Sequence, residues 1–264
     1  MEKITFYKYQ GAGNDFVLID QRRHHTLHRG DRARIARLCD RRFGIGADGL
    51  ILLQAAEGYD FEMLYFNADG GEGSLCGNGA RCVVAFAHFL GIAPQECCFL
   101  ANDGPHEAVV VRPDWIEVHI RDIEHWHWAN GYCVLNTGSP HYVRFIPKLE
   151  GFDVVSEGRR VRYSPEFAQD GINVNFVQET TTGMRIGTYE RGVEDETLAC
   201  GTGATAAAIA FVSQEENPLG GWDIPVVAKG GELRVRFHFD GERFRQVWLC
   251  GPAVQVFSGE IVLG

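Results

Sequence analysis

A chain of 264 residues with 45% hydrophobic and 23% charged residues has the make-up of a globular protein that can bury a core without staples. Its formal net charge is −10, and even the densest basic group, from Arg22 to Arg42, is interleaved with acidic and apolar residues, which argues against nucleic acid and anionic membrane as partners. With no charged-then-apolar leader and no apolar run near the ~20 residues of a membrane span, a cytoplasmic protein is expected.

Residues 4–9 read as a strand, 10–14 as a turn and 15–20 as a second strand, so a hairpin opens the fold. Apolar residues at Ala33, Ile35, Ala36, Leu38 and Cys39 recur at helical spacing behind Asp31, a candidate N-cap, and predict a surface helix over 31–40. Gly44-Ile45-Gly46-Ala47-Asp48-Gly49 matches the G-x-G-x-x-G fingerprint, yet a dinucleotide site needs a strand before the glycines and a helix after them. Here that order is reversed, since the strand 50–53 follows, and the glycines read as a tight connection. A strand over 61–67 leads through a glycine-rich loop to Cys76 and a helix over 78–90, and strands at 97–101, 107–111 and 115–120 close the first half. The stretch 121–130, with His125, Trp126, His127 and Trp128, has no clear period and is the expected boundary, its rings buried at a junction.

The second half repeats this grammar: strands at 132–136, 142–145, 173–178 and 184–189, a helix over 202–213, then strands at 224–228, 232–239 and 244–249. Residues 254–263 are expected to pair back with the first half. The reading is α+β with two pseudosymmetric domains, each an antiparallel sheet or barrel around a central helix: residues 1–121 joined by 254–264, and residues 122–253.

One motif occurs in both halves. Cys76-Gly77-Asn78-Gly79-Ala80 returns as Cys200-Gly201-Thr202-Gly203-Ala204, each copy preceded by a glutamate (Glu72, Glu196) and followed by an apolar helix. A free thiol ionises near pH ~8.5, and a helix N-terminus favours the thiolate because its N–H groups carry partial positive charge. The glycines let backbone N–H groups approach an anion such as a carboxylate. Inverting a Cα centre needs a base on one face and an acid on the other, so two such loops suit a racemase or epimerase, with the sulfurs facing each other across one substrate carbon and titrating as a coupled pair. None of the four lysines, Lys3, Lys8, Lys148 and Lys229, sits in a setting that reads as a Schiff-base site, so nothing asks for a pyridoxal mechanism, although nothing excludes one. Without a Cys-x-x-Cys pair, no metal is expected, and Cys39, Cys97, Cys98, Cys133 and Cys250 read as small buried hydrophobes.

The segments 11–16 (GAGNDF), 44–49 (GIGADG), 66–70 (FNADG), 76–82 (CGNGARC), 138–141 (GSPH), 173–176 (NVNF), 189–192 (YERG) and 199–204 (ACGTGA) together resemble the diaminopimelate epimerase family, in its order and over nearly the whole chain. The resemblance implies a cofactor-independent isomerase that interconverts LL- and meso-2,6-diaminopimelate in lysine and peptidoglycan precursor synthesis. It implies that family's fold, a site in the cleft between the domains, and a homodimer. It makes Cys200 the proton acceptor and Cys76 the proton donor for the LL substrate, with His141 and Glu190 tuning the thiols. Asn14, Asn67, Gly77, Asn78, Asn173, Glu190, Arg191, Gly201 and Thr202 become substrate ligands, Arg191 gripping the distal carboxylate.

The chain departs from the family pattern in three places. Gly49 stands where some members have glutamine, removing a side-chain contact. Ser139, which is shorter, replaces an asparagine before Pro140-His141. The loop from Glu190 to Cys200 is slightly longer than the common spacing, and a bulge is expected to absorb the excess. Rival readings are a proline or hydroxyproline racemase of the same architecture, a thiol-redox protein cycling a Cys76–Cys200 disulfide, and a catalytically silent small-molecule binder.

Overall fold

Strand alternation and one apolar helix organise the first unit, residues 1–118 with 251–264; the computed structural model describes residues 2–73 and 75–263. β1 (Glu2–Gly11) sends Ile4 and Phe6 inward, then turns through Ala12 and Gly13, both at positive φ (53° and 87°), into antiparallel β2 (Asn14–Asp20). α1 (Arg32–Cys39) buries Ile35, Leu38 and Cys39, and β3 (Gly49–Gln54) returns parallel to β2. The glycines between them form the tight connection predicted for them, for a Cβ at Gly44 would overlap the Arg37 carbonyl. β4 (Phe61–Asn67) is antiparallel to β3. After α2 (Gly77–Phe89), β5 (Glu96–Ala101) runs parallel to β4, and β6 (Gly104–Arg112) and β7 (Trp115–His119) continue as an antiparallel meander.

The second unit, residues 119–250, begins with the hairpin β8 (Trp126–Ala129) and β9 (Tyr132–Asn136), turned by Asn130 and Gly131 at φ 47° and 80°. β10 (Pro140–Phe145) is antiparallel to β9. α3 (Val154–Arg162) then crosses to β11 (Asn173–Thr180), parallel to β10, and β12 (Gly183–Tyr189) folds back antiparallel, with the short β13 (Glu196–Thr197) on it. α4 (Gly201–Val212) crosses to β14 (Gly220–Ala228), parallel to β12, and β15 (Gly231–Phe239) and β16 (Phe244–Pro252) complete an antiparallel meander. The last strand, β17 (Val254–Leu263), lies antiparallel on β1 of the first unit.

Strand pairing follows the same course in both units: antiparallel, parallel, antiparallel, parallel, antiparallel, antiparallel, from β1 to β7 and again from β9 to β16. Each parallel step needs a crossover, and helices supply all of them, α1 and α2 in one unit, α3 and α4 in the other. The second crossover helix of each unit is the central one. α2 contacts β1, β2, β3, β4 and β6, and α4 contacts β9, β10, β11, β12, β14 and β15. Residues 77–87 are accordingly all buried, as are 203–210, the pattern of a helix enclosed on every face. Among the described residues no helix is long and apolar enough to cross a membrane.

The aromatic stretch differs from expectation. Trp126 packs edge-on against Phe244 (centroids 4.9 Å apart), and Trp128 donates to Ser213 Oγ (2.9 Å); both are half-buried inside the second unit, while His125 and His127 are exposed. None of the eight cysteines is joined in a disulfide among the described residues. Burial pushes Cys39, Cys97 and Cys133 up to about 12, the behaviour of inert core thiols, and Cys250 is likewise buried, whereas Cys98 is only half-buried.

Candidate functional site

The first half-site draws on β2, β4 and the start of α2. Cys76 is the N-cap of α2 (φ −98°, ψ 115°), so its side chain stands at a helix end where backbone N–H groups lack intrahelical partners. It is half-buried, with Sγ 3.9 Å from Asn14 Oδ1, the long range of a sulfur donor. Asn78 Nδ2 donates to the same Asn14 oxygen (3.1 Å), and the fully buried Arg81 donates from Nη2 to Asn78 Oδ1 (2.7 Å). On its other side Asn14 Nδ2 donates to Asp48 Oδ2 (2.5 Å), and Arg41 bridges Asp48 and Asp15 with contacts of 2.7 Å to each. Burial alone would raise the Asp15 carboxyl, but Arg41 and the buried Lys8, 2.7 Å away, hold it well below the usual carboxylate range. The last residue of β4, Asn67, is exposed and accepts at Oδ1 from the Tyr65 hydroxyl (3.1 Å).

The second half-site gathers on β10, β11 and the start of α4. Cys200 is the N-cap of α4 (φ −116°, ψ 112°), half-buried, with Sγ 3.4 Å from Thr202 Oγ1. Thr202 Oγ1 is also 2.9 Å from His141 Nε2, and its backbone carbonyl accepts from Thr137 Oγ1 (2.8 Å). His141 has no solvent exposure; burial, reinforced by the Arg191 charge, lowers it to about 3 and keeps it neutral. Asn173 Nδ2 donates to Ser139 Oγ (2.8 Å) and the Pro140 carbonyl (3.2 Å), while its Oδ1 accepts from the Arg191 backbone N–H (2.9 Å). Arg191 is exposed, with Nη1 tied to the Asp170 carbonyl (2.9 Å). Its loop is closed by Glu194 N–H on the Glu190 carbonyl (2.8 Å) and Glu190 N–H on the Asp195 carbonyl (3.1 Å).

The sequence-derived residues thus fall into two sets. Asn14, Asn67, Cys76, Gly77 and Asn78 lie in the first unit, and Ser139, His141, Asn173, Glu190, Arg191, Cys200, Gly201 and Thr202 in the second. The sequence reading missed Asp48, Arg81, Tyr65, Asn175 and Thr188. Of these, Asn175 carried a signal, since residues two apart on a strand share a face and Asn173 was already singled out. The paired glutamates hold loops rather than thiols: Glu72 forms an ion pair with Arg29 and Glu196 one with Lys229.

Two sheet-wrapped central helices make a fold that this chain shares with solved structures of other proteins. A phenazine biosynthesis protein of the PhzF family from Bacillus anthracis superposes with a TM-score of 0.79 at 16% identity, covering 99% of this chain and 100% of that one. A hydroxyproline epimerase from Agrobacterium vitis does so at 0.68 and 12%, covering 99% and 93%. At the level of sequence, the diaminopimelate epimerase family matches residues 6–117 and 133–256. The diaminopimelate epimerase of Flavobacterium psychrophilum is 47% identical over 259 residues (98% of this chain, 100% of the relative), and that of Chlorobaculum tepidum 42% identical over 264 (96% and 99%). The chain belongs to the diaminopimelate epimerase family.

Proposed function

We propose that the chain interconverts LL- and meso-2,6-diaminopimelate by proton transfer between two thiols at one Cα. What carries the reading is the presence of a thiol at the N-cap of the central helix in each of two like-folded units, in a chain of this family. With LL substrate, the Cys200 thiolate takes the Cα proton. The resulting carbanion places charge on the adjacent carboxylate, where N–H groups of residues 77–78 and 201–202 stabilise it. Cys76 then gives its S–H proton to the opposite face, leaving Cys200 as thiol and Cys76 as thiolate. The reverse reaction exchanges the roles, so atoms and charge balance without an added reactant.

Arg191, Asn173, Asn67 and Glu190 recognise the distal amino-acid end, the guanidinium taking the carboxylate and the acid the ammonium. Ser139 acts through Asn173, to which it is bonded, and supports the ligand without replacing it. This chemistry uses groups of the protein alone, backbone N–H and side chain, and we place it in the cytoplasm, in a homodimer. Incubation with LL-diaminopimelate in deuterated water, followed by NMR, should show meso product with deuterium at the inverted carbon. Turnover of proline or 4-hydroxyproline with no exchange into diaminopimelate would select the fold's other racemase chemistry instead.

A further inference from the structure

One side chain on β1 breaks the strand's pattern. Ile4 and Phe6 point inward, and the next inward position belongs to Lys8, which is 5% exposed. A buried ammonium is costly unless it is paired and hydrogen-bonded, and Lys8 is both. Its Nζ donates to the Gly46 carbonyl and lies 2.7 Å from Asp15 Oδ2. One ammonium thus joins the β1–β2 hairpin, through Asp15, to the glycine loop 44–49, which is left-handed at Gly46 (φ 83°).

Complementary groups continue the joint. Asp48 N–H donates to the Asp15 carbonyl (2.9 Å) and to its Oδ1 (3.1 Å), and Asp15 N–H donates back to Asp48 Oδ2 (3.2 Å). Arg41 spans the two acids, with Nη1 2.9 Å from Asp15 Oδ2 and Nη2 2.7 Å from both Asp15 Oδ1 and Asp48 Oδ1. Charge therefore alternates from Lys8 through Asp15 and Arg41 to Asp48, and Asp48 Oδ2 ends the line on Asn14 Nδ2 (2.5 Å). A carboxylate only accepts, so the Asn14 amide has to turn its N–H to Asp48 and its oxygen to Asn78 Nδ2 (3.1 Å).

We propose that Lys8 is a positioning residue for substrate binding: it fixes the glycine loop on the hairpin and, through Asp15, Arg41 and Asp48, sets the orientation in which Asn14 is presented. The G-x-G-x-x-G sequence of the loop then serves this joint, with Gly46 lending its carbonyl and Asp48 its carboxylate. That Asn14 receives diaminopimelate rests on the proposed function; the line of contacts does not.

The test combines two readouts on the full chain. In ¹H–¹⁵N spectra without substrate, the Asn14 side-chain amide, identified by its loss in Asn14→Ala, should have one proton shifted downfield by the Asp48 carboxylate. Lys8→Met should bring that proton back toward the ordinary amide position. In steady-state kinetics with LL-diaminopimelate, Lys8→Met should lower kcat/KM about tenfold, chiefly through KM. Added to Asn14→Ala, the same substitution should change kcat/KM by less than about twofold, while its effect on urea unfolding is the same in both backgrounds. A lysine that merely held the fold together would give losses that multiply. Arg41→Gln, at an exposed residue, should raise KM about threefold with the same non-additivity, and it carries the test if Lys8→Met does not fold. Multiplying losses in kcat/KM, or an Asn14 amide signal indifferent to these substitutions in folded protein, would overturn the proposal. An amide signal that follows Lys8 in a chain that does not epimerise diaminopimelate would leave the positioning line standing and remove only the substrate; epimerisation with an indifferent signal would do the opposite.

Discussion

Gly203 and Asn175 meet at a distance that admits no side chain: a Cβ on Gly203 would stand 2.5 Å from Asn175 Oδ1 and 3.3 Å from Cys200 Sγ. The glycine of the repeated motif is therefore required by the amide of Asn175, whose Nδ2 lies 3.1 Å from His141 Nδ1. Its counterpart Gly79 would place a Cβ 3.1 Å from Ile51 Cδ1, the movable end of a side chain. Gly203→Ala should cost about 2 kcal/mol or more and reduce kcat/KM at least about tenfold, whereas Gly79→Ala should cost about 1 kcal/mol. Urea unfolding and steady-state kinetics on the two variants check the contrast, which equal effects would erase.

The buried His141 makes stability depend on pH with a definite sign. An unfolded chain binds a proton at this ring near pH ~6.5, whereas the folded chain does so only at about 3. Between these values the unfolded state holds more protons, so stability is full above ~6.5 and falls as pH drops, by about 1.4 kcal/mol per unit from this group. Asp15, held low by its cations against the cost of burial, adds its own loss only below ~4. His141→Gln should flatten the dependence between pH ~6 and ~4 in urea titrations; an unchanged slope would count against a buried neutral ring.

In the loop before Cys200, Glu194 is left-handed (φ 60°), and its carboxylate accepts from the Tyr163 hydroxyl (2.9 Å), the Tyr189 hydroxyl (3.1 Å) and Gly192 N–H (3.1 Å). Glu194→Ala should lower stability by about 1–3 kcal/mol. Because the loop carries Glu190 and Arg191, KM for diaminopimelate should rise several-fold with kcat changed less than about twofold. A fall in kcat at constant KM would detach the loop from substrate binding.

Tyr65 fills the space that Gly49 leaves. A Cβ at Gly49 would come within 2.6 Å of both Tyr65 Cε2 and the Phe66 carbonyl, and the Tyr65 hydroxyl instead holds Asn67. Restoring glutamine by Gly49→Gln should destabilise the fold by about 2 kcal/mol or more without tightening substrate. Tyr65→Phe should leave the melting temperature nearly unchanged and raise KM about three- to tenfold, corresponding to about one hydrogen bond. An unaffected KM would free Asn67 from Tyr65.

Much of the architecture was legible because periodicity and punctuation agreed: the opening hairpin, both central helices and both meanders fall where alternation and turn residues put them. α3 was missed for a physical reason. Its sequence, VVSEGRRVR, has only three apolar side chains, Val154, Val155 and Val161, and carries Gly158 in mid-helix, where a side chain would overlap Cβ and Cγ of Tyr189. Tertiary packing overrides propensity there. β13, two residues long, is below what alternation can register. In the site, the twin motif exposed Cys76 and Cys200, but Asp48 and Arg81 take their roles from partners at Asn14 and Asn78, and Thr188 from Asn175 on the neighbouring strand. Such roles belong to pairs of distant residues and are invisible in either one alone.

The most direct measurement is the rate of diaminopimelate epimerisation by Cys76→Ala and Cys200→Ala, each checked for retained fold. Proton transfer at both faces requires both sulfurs, so each single variant should lose at least about a thousandfold in kcat, within the range of acid–base catalysis. Near-full epimerisation by either variant would contradict the two-thiol account.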